Sequence, residues 1–184
     1  MADKFGFGLP SMIVKSKGHF PGQQYSVLGP RLVVPGVPAS GYAYGFGEIV
    51  KIVDNHEGAY SFRAVTTSDT AVALAVVMRD IAGGIAYDDN VIEKAKSQVA
   101  VSLFLLNEEQ HGAIVVPCGA SASIAVGSAV HIGLGTGGKV AGAVYGASDS
   151  THTVALTGFE FKTLPFAPSD TSALAVAIGK KLDI

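Results

Sequence analysis

At 184 residues the chain is sized for one domain with a sizeable core. Its residues are 48% hydrophobic and only 15% charged, with a formal net charge of −2, whereas soluble domains average roughly 25% charged residues. That balance offers no basic stripe for nucleic acid (Lys15 with Lys17 is too small), and no run approaches the ~18 apolar residues of a membrane span. Met1-Ala2-Asp3-Lys4 also lacks the basic-then-apolar opening of a signal peptide. With a membrane set aside, so few charges point to burial against other protein chains. A single cysteine, Cys118, excludes an internal disulfide and fits a reducing compartment of origin. The 23 glycines and 8 prolines predict many turns and short strands.

Residues 1–24 read as an extended N-terminal arm. Phe5-Gly6-Phe7-Gly8-Leu9-Pro10 sets large apolar groups between pliant glycines, and Phe20-Pro21-Gly22-Gln23 holds a turn. The aromatics are expected to dock on a neighbouring subunit. Residues 25–184 read as a single β-rich domain. From Tyr25 to Val37 short apolar pieces alternate with Gly29-Pro30 and Pro35-Gly36, and the prolines argue against a central strand because each lacks a ladder donor. Gly41-Tyr42-Ala43-Tyr44-Gly45-Phe46-Gly47 alternates with period two and runs into Glu48–Val53. With the polar turn Asp54–Gly58 and the run Ala59–Val65, this predicts a hairpin.

The stretch Thr70–Cys118 is the expected core. Ala71–Arg79, Val99–Leu106 and Gly112–Val116 are apolar runs of the kind buried on both faces. Between them lie a turn at Gly83-Gly84, a polar passage Tyr87–Asn90, and the one segment of helical character, Asn90–Ser97. The small residues up to Gly127 predict a turn delivering the strand Ala129–Ile132, and the glycines up to Gly146 predict a hairpin. Thr153–Leu156, Gly158–Leu164 and Leu174–Lys180 are the closing strands; Phe159 and Phe161 share one face, Glu160 and Lys162 the other. The predicted fold class is mainly β, a β-barrel or β-sandwich with the N-terminal arm and at most one short helix.

Candidate chemistry is sparse. Gly133-Leu134-Gly135-Thr136-Gly137-Gly138-Lys139-Val140 matches the spacing of a dinucleotide loop and nearly that of a phosphate loop. Both work only at the start of a helix, and Ala141–Gly146 with two further glycines predicts a hairpin turn instead. His19, His56, His111, His131 and His152 are dispersed, with no metal-ligand spacing. Asp149-Ser150-Thr151-His152 holds the residue types of a catalytic triad too close together to align, and reads as a polar loop. Asp88-Asp89-Asn90 and Glu108-Glu109-Gln110 lack calcium-loop spacing and read as solvated turns. Cys118 has no basic neighbour and reads as a small buried hydrophobe. No catalytic residue, metal ligand or cofactor is expected, and the chain is not expected to be an enzyme.

The order of several short motifs resembles the head cement (capsid decoration) proteins of tailed bacteriophages. These are Phe20-Pro21-Gly22-Gln23, Gly45-Phe46-Gly47, Val77-Met78-Arg79-Asp80, Tyr87-Asp88, the strand Val99–Leu106, Gly112–Val116, Gly127-Ser128-Ala129-Val130 and Gly158-Phe159-Glu160-Phe161. The resemblance covers about residues 20 to 162. It departs in the Pro-rich passage Gly29–Ser40 and in the tail after Pro165. It implies a β body on the outer surface of a phage head, bound to the major capsid protein. Copies would associate with themselves, as trimers in preference to dimers. The residues expected at such an interface are Phe5, Phe7, Leu9, Phe20, Tyr42, Tyr44 and Phe46. The alternative is a β-rich binding module of a tail or receptor-recognition protein, displaying Tyr42, Tyr44 and Phe46 in a ligand groove.

Overall fold

The structure is a computed structural model that describes residues 21–26, 32–56, 58–69, 73–79, 101–107, 109, 112–119, 123–167 and 174–181. Among the described residues eleven strands follow in chain order: β1 (Gln24–Ser26), β2 (Val33–Pro38), β3 (Ile49–His56), β4 (Ala59–Ala64), β5 (Leu74–Val77), β6 (Val101–Leu106), β7 (Ala113–Cys118), β8 (Ala129–Gly133), β9 (Val144–Tyr145), β10 (Thr153–Phe161) and β11 (Leu174–Lys180). There is no helix among the described residues, and the mainly-β barrel expectation holds.

Strands β2-β4-β3-β5-β6 close into a barrel. The others form a sheet in the order β1-β7-β11-β10-β8-β9. A parallel bridge between Cys118 and Val144 brings β9 back against β7, so this sheet curls round on itself. The strands shared between two interiors explain the long apolar runs. In β5, Leu74 and Val76 join a cluster with Ile114, Val116, Ile132, Phe161, Val176 and Ile178 of the second sheet. Their neighbours Ala75 and Val77 point the other way, into the barrel, against Tyr44, Val50, Phe62 and Leu103. β6 divides likewise, with Phe104 and Leu106 toward the second sheet and Val101 and Leu103 inside the barrel. Side chains alternating across a strand with apolar matter on both sides leave no position for a charge.

Four readings of the sequence change. The passage expected to lie outside any central strand contains β2, a full barrel stave. The prolines are tolerated because its two pairings meet only at Gly36: Val33–Gly36 run antiparallel to β6, and Gly36–Pro38 parallel to β4. Pro35 therefore has a ladder neighbour on one side only, as has Pro38. The period-two run at 41–47 is a loop in which Tyr44 makes a lone bridge, with Gly41 and Gly47 at φ 78° and 79°. The strand expected over Ala71–Arg79 is shorter, Leu74–Val77, and starts after Ala73 at a left-handed φ of 67°. Thr153–Leu156 and the first part of Gly158–Leu164 are one strand, β10, which ends at Phe161 and is kinked by a register shift between Leu156 and Glu160 where Gly158 takes φ 81°.

β3 and β4 form the expected hairpin, but its turn is tighter than Asp54–Gly58, because β3 runs on through His56 and pairs there with Ala59. Phe159 and Phe161 are buried as expected, while Lys162 pairs with Glu160 at 2.6 Å. Residues 1–20, the turn at Gly83-Gly84, the passage Tyr87–Asn90 and the helical segment Asn90–Ser97 lie outside the described residues.

Candidate functional site

Three motifs that are far apart in sequence meet at one junction between the barrel and the second sheet. Gly22 enters with φ 83°; its N–H donates to the Val115 carbonyl of β7 at 2.8 Å, and its own carbonyl accepts from the Arg79 N–H at 3.0 Å. The Gly47 N–H donates to the Val77 carbonyl at 2.7 Å, and the Val77 N–H returns to the Glu48 carbonyl at 3.0 Å. A Cβ on Gly22 would lie 2.7 Å from the Arg79 nitrogen, and one on Gly47 would lie 2.6 Å from Cβ of Pro21. Both positions need the left-handed backbone and the empty space that glycine alone supplies. Pro21-Gly22, Gly45-Phe46-Gly47 and Val77-Met78-Arg79 are thus one packed unit.

Glu48 organises the loop on the barrel side. It is buried, and its carboxylate accepts the Tyr42 hydroxyl at 2.5 Å and the Gly45 N–H at 2.8 Å. Burial, then the charge and hydrogen bond of Glu48, push the Tyr42 phenol far above its ordinary 10.0. Next to it, the Ile49 N–H donates to the Gly142 carbonyl of the β8–β9 loop at 3.0 Å, a second tie between the two bodies. The guanidinium of Arg79 lies 5.9 Å from the ring centroid of Phe46.

Of the seven interface residues expected from sequence, Phe5, Phe7, Leu9 and Phe20 lie outside the described residues. Tyr44 is fully buried, its ring edge-on to Phe62 at 5.3 Å, and has no surface to present to another chain or in a groove. Its alternation with Tyr42 and Phe46 had suggested a shared exposed face, but the loop turns Tyr44 into the barrel. Tyr42 and Phe46 remain half-buried. The sequence reading did not single out Glu48, the residue that holds the loop; a lone carboxylate two places after an aromatic carries no signal of its own.

The glycine-rich segment 133–140 links β8 to β9, which pair antiparallel at Ile132 and Val144, and no helix follows it. Gly137 and Gly138, at φ 56° and 76°, make the tight turn in which the Lys139 N–H reaches the Thr136 carbonyl. Lys139 covers the Tyr145 ring at 4.4 Å. The 149–152 segment is a polar turn: Asp149 accepts from the backbone of Thr151 and His152, while Nδ1 of His152 meets the Thr136 hydroxyl at 2.9 Å. His131 is shifted down by burial. Among the described residues no three His, Cys, Asp or Glu side chains are grouped to hold a metal ion. Burial pushes the Cys118 thiol up to about 11, away from nucleophilic use. Of the three acidic or amide residues at 108–110 only Glu109 is described, and 88–90, His19 and His111 are not.

No family model and no curated protein matches the chain. Among solved structures it is similar to a chain in "The capsid of Myoviridae Phage XM1", with a TM-score of 0.55 and 17% sequence identity over 88% of this chain and 89% of that one. At that identity the likeness establishes a shared fold, spread over nearly the full length of both chains.

Proposed function

We propose that this chain is a structural protein of a phage virion, a decoration or cement protein that binds the outer surface of the head and bridges major capsid subunits. The observation that carries the reading is the fold likeness to a chain of a phage capsid over nearly the whole of both chains. The likeness extends over 88% of this chain and 89% of that one, so it is not confined to one recurring β motif. Three of the motifs that carry the resemblance, through Pro21-Gly22, Gly45-Phe46-Gly47 and Val77-Met78-Arg79, meet at the junction of Gly22, Gly47 and Arg79, which supports the same reading. A chain with only 15% charged residues suits a role in which much of its surface meets other chains. In this reading the arm expected over residues 1–24 grips a neighbour through the part ahead of Pro21, since Gly22, Gln23 and Gln24 are bonded to β7 of the body, and copies associate with one another. No catalytic step is assigned to it. Many identical contacts around a shell need only modest energy each to resist the pressure of packaged DNA.

The test is co-sedimentation of the purified chain with heads that lack it, together with release of DNA on heating. Binding and a higher release temperature are expected; heads that neither bind it nor gain robustness overturn the reading. A variant lacking Met1–Pro10 is expected to bind heads more weakly while its body keeps the same melting temperature.

A further inference from the structure

We infer that Gly22 is a coupling point that fixes the segment ahead of it to both β bodies at once, so that a pull on residues 1–20 is resisted by the whole molecule. That use rests on the arm reading above, whereas the coupling itself stands on geometry. The two backbone groups of Gly22 bond in opposite directions, its N–H to Val115 in the second sheet and its carbonyl to Arg79 at the end of the barrel strand β5. The Gln23 carbonyl adds a bond from the Val115 N–H at 2.9 Å. Pro21 closes on Gly47, which is itself bonded to Val77. A chain entering along the edge of one body would peel away strand by strand under load. A chain seated in the seam loads two hydrogen-bonded bodies in parallel, and neither can yield without breaking bonds to the other. The packing leaves no slack: a Cβ at Gly22 would meet three backbone atoms within 3.0 Å, those of Arg79, Val77 and Gly47.

The experiment is amide hydrogen exchange, residue by residue, on the free full-length chain. In the wild type the amides of Arg79, Val115 and Ile49 are expected to exchange within about threefold of one another, as a single opening. Ile49 is included because its bond to Gly142 crosses the same seam at a separate place. In Gly22→Ala all three are expected to accelerate together by about tenfold. The inference is overturned if Arg79 exchanges like an open turn while Val115 and Ile49 stay protected, or if Gly22→Ala loosens Arg79 alone. Should the variant fail to fold, the wild-type rates decide by themselves. Since no shell is present, failure of this coupling is separable from failure to bind heads, which would leave these rates unchanged.

Discussion

Two buried carboxylates show how single residues set loop shape here. Asp69 accepts hydrogen bonds from the two terminal guanidinium nitrogens of Arg63, at 2.9 and 3.0 Å, and from the N–H and hydroxyl of Thr66. Burial alone would raise its pKa, but the hydrogen bonds from Arg63 and Thr66 outweigh that and hold it at about 2, below the ordinary 3.8. Its stabilisation is therefore complete above pH 3.8 and is lost as the pH falls through about 2. Asp69→Asn should cost about 1–2 kcal/mol at neutral pH, Arg63 being partly exposed. It should also flatten the acid limb of a denaturation series, and an unchanged acid limb would exclude this role. Tyr42 works at the opposite end of the scale. Its phenol stays protonated in the fold while the unfolded one titrates near 10.0, so stability should fall as pH rises beyond that value. Tyr42→Phe should reduce this alkaline slope, leaving the part that the buried Cys118 and Tyr44 contribute, and cost about 1–3 kcal/mol, because Glu48 loses a donor. Alkaline denaturation of both proteins measures it.

At the scale of elements, strand existence was legible where both faces are apolar and much less so where backbone chemistry decides. β5, β6 and β7 could be read from runs such as Leu74–Val77, since burial on both sides leaves a sequence without charges. β2 was hidden by Pro35 and Pro38, because a sequence does not show that each proline has its ladder on one side only. The alternation of Tyr42, Tyr44 and Phe46 imitated a strand, but glycines at φ 78° and 79° bend the segment into a loop in which only Tyr44 of the three is fully buried. The junction residues were visible as separate Pro-Gly and Gly-Phe-Gly signals, but their meeting depends on pairings between distant strands. Gly36 is the element's sharpest test. A Cβ there would sit 2.4 Å from Cδ1 of Leu103, which is fully buried between β2 and the barrel interior. Gly36→Ala should destabilise by about 1–3 kcal/mol through overpacking. A melting temperature equal to wild type would show that the barrel wall is looser than described.

For the whole molecule, two curled sheets share one apolar cluster and are stitched by backbone bonds at Gly22–Arg79 and Ile49–Gly142. A body joined in this way suits a part that is held at many points and must not shear. It also leaves apolar groups outside: Val126, Val140 and Leu164 are each more than 60% exposed. The proposed place on a phage head is tested most directly by a reconstruction of the virion that carries this chain. Density is expected for both β bodies on the outer face of the shell, seated across adjacent capsid subunits, with the N-terminal residues reaching a neighbour. Density for the chain on the tail, or a shell with none of it, would contradict the account.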